Sequence, residues 1–242
     1  MNPQKGEILC FNKPYRWTSF DLVYKVRGKL KQRIHQPRLK VGHAGTLDPL
    51  ATGVLIVCTG KATKQIDQLQ AHTKEYVATL RLGATTPSFD RETSEDATYP
   101  TQHITRQLIE ETLPRFVGTI MQVPPAYSAV KIDGKRAYDL ARKGRTVELK
   151  AKPLTIDEIE LQDCNLNEHE ITIRVVCSKG TYIRALARDI GEALNTGAYL
   201  TDLCRTRIGE YKIDDCLDIH QFDHWLDQQT FDQEEEQTNT NS

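Results

Sequence analysis

The sequence contains no uninterrupted apolar run of about eighteen residues, so nothing in it reads as a membrane-spanning helix. Its six cysteines, Cys10, Cys58, Cys164, Cys177, Cys204 and Cys216, form no C-x-x-C pair, which removes the common zinc and redox arrangements. Most of them sit in apolar or alternating runs and read as small buried hydrophobes of a reducing compartment. The opening residues, MNPQKGEILCFNKP, lack the apolar stretch of a secretion signal and the Arg- and Ser-rich character of a transit peptide. A cytoplasmic location is therefore expected. No repeat with a period of tens of residues is visible. Gly60-Lys61 resembles the end of a phosphate-binding loop, but the pattern fails twice, with Leu at 55 and Ala at 62.

What is present is an ordinary globular composition, 38% apolar and 27% charged over 242 residues, long enough to bury a core. The formal net charge of −1 conceals an asymmetry. Residues 1–212 hold all 32 Lys and Arg with 24 of the 33 acids, a surplus of eight positive charges, whereas the last thirty residues carry nine acids and no Lys or Arg. A basic body with an acidic tail suits a polyanionic partner for the body. Two stretches concentrate the bases: 25–40 has seven and no acid, and 123–152 has eight.

Periodicity predicts a helix over 19–30, with Thr18 or Ser19 as N-cap and Phe20, Val23, Val26 or Arg27, and Leu30 on one face. Residues 54–58 read as a buried strand, 75–82 and 170–177 as alternating strands, and 207–213 as a last strand. Helices are predicted over 105–116 and after Thr181, the latter with Ile183, Leu186, Ala187, Ile190 and Leu194 inward. Residues 84–103 form a polar loop. Residues 123–152 read as a long basic loop with a short helix near 135–143, and long loops inside compact domains are usually functional. These elements predict an α+β fold with a mixed, largely antiparallel sheet flanked by helices around a central cleft. A catalytic domain over 1–215 is followed by a short acidic extension, 216–242, expected to be disordered from about 230.

The densest signal is Gly42-His43-Ala44-Gly45-Thr46-Leu47-Asp48-Pro49-Leu50-Ala51-Thr52-Gly53. Its glycines permit tight turns, and Pro49 restricts the backbone of Asp48. A carboxylate on a stiff loop ahead of a buried strand has the pre-positioning that a reactive group needs.

GHAGTLDPLATGVL is similar to the signature loop of the bacterial-type tRNA pseudouridine-55 synthase family, which makes pseudouridine in the T-loop of tRNA. LCFNKPYRWTSFDLV, KEYVATLRLGATTPSFD, QVPPAYSAVKIDGKRAYDLARKG and CSKGTYIRALARDIGEAL resemble further family blocks in the same order, covering most of 8–210. The resemblance implies a pseudouridine synthase fold with Asp48 as the catalytic nucleophile. It implies Arg184 paired with that carboxylate, Tyr76 against the target base, Tyr182 and Leu203 as further pocket positions, and His43 as a wedge in the RNA loop. The 123–152 block corresponds to a thumb that closes over the RNA. The implied reaction flips a uridine out, breaks its glycosidic bond, rotates the uracil and rejoins it through C5. It needs no cofactor and no metal. Covalent attack by the carboxylate and proton removal from C2′ both remain open. The implied partner is the T-arm stem-loop of tRNA, with no protein partner required. Many relatives carry a C-terminal PUA module, which this chain has no room for. The alternatives are a pseudouridine synthase with another RNA target and a non-catalytic RNA-binding or RNA-folding module.

Overall fold

The computed structural model describes residues 1–128, 131–132, 135–137 and 149–232. It has a mixed sheet flanked by helices. From one edge, the sheet runs β14 (Leu217–Asp218), β1 (Ile8–Lys13), β3 (Thr52–Thr59), β12 (Ala198–Ile208), β4 (Lys74–Leu82), β11 (Glu170–Cys177), β10 (Lys152–Asn165) and β7 (Gly118–Gln122). β2 (Val41–His43) adds to β3, and β13 (Tyr211–Lys212) adds to β12. Among the described residues, two contacts in this sheet are parallel, β1 with β14 and β12 with β3, and the others are antiparallel. The expected α+β fold with a largely antiparallel sheet is what the chain forms.

Alternation explains the layers. In β4, every second residue from Lys74 to Leu82 is buried, so Tyr76, Ala78, Leu80 and Leu82 enter one core beside Ile171, Ile173 and Val175 of β11. The helix Ile183–Ala193 closes that core with Leu186, Ala187 and Ile190. In β3, the residues are buried on both faces: Leu55 and Val57 point into one core, and Val54, Ile56 and Cys58 into another. A strand covered on both sides reads as a continuous apolar run, as 54–58 does.

The helix Ser19–Ile34 begins as predicted, with Thr18 and Asp21 forming a reciprocal capping box. It buries Leu22, Val23, Val26 and Leu30. Phe20, predicted on that inward face, is instead 63% exposed, because Leu22 takes the inward position. The helix after residue 181 starts at Ile183 with Tyr182 as N-cap; the Thr181 hydroxyl donates to the Ser178 carbonyl at 3.0 Å instead of capping.

The last predicted strand, 207–213, is two pieces around a turn at Gly209, and the long central strand Ala198–Ile208 and the fourteen-residue strand Lys152–Asn165 went unpredicted. The polar loop 84–103 contains a small ladder of Ala84–Thr85 with Ala97–Thr98. Within the basic segment 123–152, Lys131–Ile132 pairs with Lys135–Arg136, and Ala137 is helical, so the short helix expected near 135–143 starts after that pairing. The rest of that expected helix, 138–143, lies outside the described residues, as does the tail from 233. Residues 217–227 pack on the N-terminal strands: the Phe222 ring meets Phe11 edge-on at 5.1 Å, and Leu226 joins the same core.

Gly53 has φ +106°, a region that side chains other than glycine rarely adopt, and a Cβ there would strike the Arg205 backbone of the neighbouring strand. Gly53→Ala is expected to destabilise the fold by about 3 kcal/mol, through backbone strain and overpacking. Urea unfolding checks it, and an unchanged midpoint would remove the close approach from the account.

Candidate active site

The loop 44–51 joins β2 to β3. Asp48, Pro49, Leu50 and Ala51 form a turn in which the Ala51 N–H donates to the Asp48 carbonyl at 3.1 Å, with Pro49 at the second position that such turns favour. Three groups grip the loop from below. Ser19 Oγ accepts from the Leu47 N–H at 2.9 Å and donates to the Leu47 carbonyl at 3.1 Å. Arg205, 1% exposed, donates to the carbonyls of Val54, Gly45 and Thr46 at 2.8, 3.1 and 3.4 Å. Lys13, wholly buried, donates to the carbonyls of Trp17, Pro14 and Pro49. Burial pulls the Lys13 ammonium down to about 8, against the attraction of Asp48.

Above the loop, Asp48 meets the buried Arg184. The Nε of Arg184 lies 2.9 Å from Oδ2 of Asp48 and 3.7 Å from Oδ2 of Asp90. Its N–H is aimed along neither line, so the contact is charge against charge and not an in-line hydrogen bond. The other two nitrogens donate to the carbonyls of Ser88 at 3.2 Å and Tyr127 at 2.9 Å. One guanidinium thus faces two carboxylates and is oriented by two main-chain carbonyls. Burial pushes the Asp90 carboxyl above its ordinary value, although the Ser88 hydrogen bond and Arg184 pull the other way. Asp48 is the more open of the two, its side chain 38% exposed against 9% for Asp90.

Asp48, Tyr76, Tyr182, Arg184 and Leu203 line one cleft of about 260 Å³. Tyr76 stands on β4 opposite Arg205 of β12. Burial raises its phenol, with Arg205 opposing, so the hydroxyl stays protonated at neutral pH. Tyr182 is held by its backbone: its N–H donates to Gln122 Oε1 at 2.9 Å, and Gln122 Nε2 donates back to its carbonyl at 3.2 Å. The walls can hold a flat ring between aromatic and apolar surfaces with a carboxylate at its edge.

His43 does not line this cleft; pairing with Val57 fixes it on β2, before the loop begins. Its Nδ1 is buried without a hydrogen-bond partner, and burial lowers its pKa. Three participants were not singled out from sequence: Asp90, Arg205 and Lys13. Asp90 and Lys13 lie in the blocks SFD and NKP, where nothing local marks them: Arg91 and Glu92 follow Asp90, and Asn12 and Pro14 flank Lys13. Arg205 sits in a strand that was not predicted.

The profile of the TruB family pseudouridylate synthase N-terminal domain matches residues 29–183. The chain belongs to the TruB family. The profile of the tRNA pseudouridylate synthase B C-terminal domain continues over 184–238. Among TruB relatives, the chain is 66% identical to tRNA pseudouridine synthase B of Phocaeicola vulgatus over 96% of its own length and 98% of that protein. It is 49% identical to the Flavobacterium johnsoniae protein of the same name over 93% of its length and all of that protein. In structure it is similar to a chain of a Cbf5-Nop10-Gar1 complex, with TM-score 0.69 and 30% identity; 93% of this chain matches 56% of that longer one.

Because Asp90 titrates above its ordinary value in the folded state, its ionised form costs stability relative to the protonated one. Asp90→Asn is therefore expected to melt above the parent at pH 7 and to lose that advantage as pH falls toward the ordinary aspartate range. Thermal melts at pH 7 and 4 check this; a variant that melts below the parent at pH 7 would contradict it.

Proposed function

We propose that the chain isomerises the T-loop uridine at position 55 of tRNA to pseudouridine, with Asp48 as the catalytic nucleophile. The observation that carries this is the meeting of Asp48, Tyr76 and Arg184 in one cleft in a TruB-family chain whose relatives are tRNA pseudouridine synthases. The uridine leaves its stack, at a cost of a few kcal/mol, to reach a carboxylate inside the cleft. His43 fills the gap as a wedge and does not titrate in that role. Tyr76 stacks on the base, a contact worth ~1–3 kcal/mol, and Tyr182 and Leu203 bound the same pocket.

Arg184 directs Asp48 and offsets its charge. The bond from C1′ to N1 breaks, the uracil turns, and C1′ joins C5; the C5 proton leaves and N1 gains one. Atoms balance without an outside group, so neither redox cofactor nor metal enters the proposal. Asp48 suits both covalent attack and removal of the C2′ proton. The site of action is the cytoplasm, the partner is the T-arm stem-loop, and no protein partner is required.

Incubation with a T-arm stem-loop is expected to yield pseudouridine, and none when the target uridine is replaced by cytidine. Asp48→Asn is expected to cut turnover at least about a thousandfold while RNA affinity stays within about tenfold. Parental turnover in that variant would remove Asp48 from its role.

The bases of 25–40 and 123–152 supply phosphate contacts. With about six such contacts, affinity should fall on the order of a thousandfold between 50 and 200 mM salt. A flat salt response would exclude these segments as the RNA track.

A further inference from the structure

The outer face of the helix Ser19–Ile34 carries aromatic rings that the fold does not use. Phe20 is 63% exposed and Tyr24 69%, one helical turn apart and so about 6 Å along the axis. Tyr15, just before the helix, is 46% exposed, and the Arg16 guanidinium lies 5.6 Å from its ring centroid. Gly28 continues the line of Phe20 and Tyr24 at the same spacing, and a Cβ on it would meet nothing within 4 Å. A glycine inside a helix weakens it, and among the described residues no close approach requires one at 28. The result is a flat strip with rings at one end and bare backbone at the other.

The charges around the strip are positive. Arg16 and Lys25 are exposed beside it, and Lys31 follows one turn on. The acid of the helix, Asp21, is engaged in its own capping box. The other flank is occupied: Lys29 and Arg33 pair with Asp223 and Asp227 of the helix Phe222–Asp227. That pairing leaves the Phe20–Tyr24 face open.

The strip also adjoins the reactive loop. Ser19, next to Phe20, holds Leu47 through two hydrogen bonds. The N–H of Arg16, next to Tyr15, donates to the Pro49 carbonyl at 2.8 Å. The helix start that carries these rings is thus tied directly to the loop that carries Asp48.

We propose that Tyr15, Phe20 and Tyr24 form a second RNA-contact surface, on which unpaired bases of the tRNA held in the cleft stack while Arg16 and Lys25 take the adjoining phosphates. Exposed rings interleaved with bases are how single strands are bound without sequence readout. The positive rim favours this occupant over an apolar protein surface, whose interface core would be depleted of charge. The inference rests on the RNA-modifying reading above and adds a binding surface to it.

The test uses full-length tRNA carrying cytidine at the target position, so that binding is read without turnover. Replacing both Phe20 and Tyr24 by Ala is expected to weaken Kd about tenfold or more per ring lost. Replacing both by Trp should keep Kd within about threefold of the parent. Both pairs lie at the surface, and circular dichroism and melting curves should match the parent. Parental affinity in the alanine pair would overturn the proposal. So would a weakening that light scattering traces to a changed oligomeric state, because the face would then join copies of the chain. If the parent fails to modify a uridine-containing tRNA, the proposed function falls independently of either pair.

Discussion

Two buried cations hold the reactive loop by its carbonyl oxygens, and the geometry of the site follows from them. Arg205 reaches across from the adjacent strand to Gly45, Thr46 and Val54; Lys13 reaches from the end of β1 to Pro49. Charged donors make stronger hydrogen bonds than neutral ones, and in a dry interior they lose most when left unmade. The loop therefore has few alternatives. Its one open carboxylate is presented to the cleft, while a second arginine on the opposite wall is oriented by Ser88 and Tyr127. Neither cation has to touch a substrate to matter.

Much of this was legible in the residues. Alternation in 75–82 and 170–177, the solid apolar run 54–58 and the capping signal at Thr18 each correspond to the observed element, because burial on one face, on both faces, or at a helix start leaves a distinct local pattern. The glycine- and proline-bounded loop identified Asp48, and the cleft unites it with Tyr76, Tyr182, Arg184 and Leu203. What stayed hidden depends on long-range contacts. Arg205 looks like any charged strand residue until strand pairing sets it behind the loop. Asp90 gains meaning only from a guanidinium 94 positions later. Phe20 lies three residues before Val23 yet points outward, because the buried stripe runs through Ser19, Leu22, Val23, Val26 and Leu30.

The division between the two family profiles falls between Ile183 and Arg184, inside the first turn of one helix. It marks no boundary between structural units, since it cuts through that helix. The first part supplies Asp48, Tyr76 and Tyr182; the second supplies Arg184, Leu203 and Arg205. The segment 217–227 closes the circle by adding a parallel strand to β1 and inserting Phe222 against Phe11. The last described part of the chain thus rests on the first.

The strand Ala198–Ile208 is late in the sequence but central in the sheet, wedged between Thr52–Thr59 and Lys74–Leu82. During synthesis, both of those neighbours leave the ribosome long before the strand that belongs between them. Until it inserts, the loop lacks the Arg205 grip, and two strand edges stay unpaired. Because N-terminal segments emerge first and non-local pairing is slow, a truncated or stalled product has an exposed, sticky seam and no assembled catalytic centre. Insertion of this late strand and assembly of the site are thereby the same event.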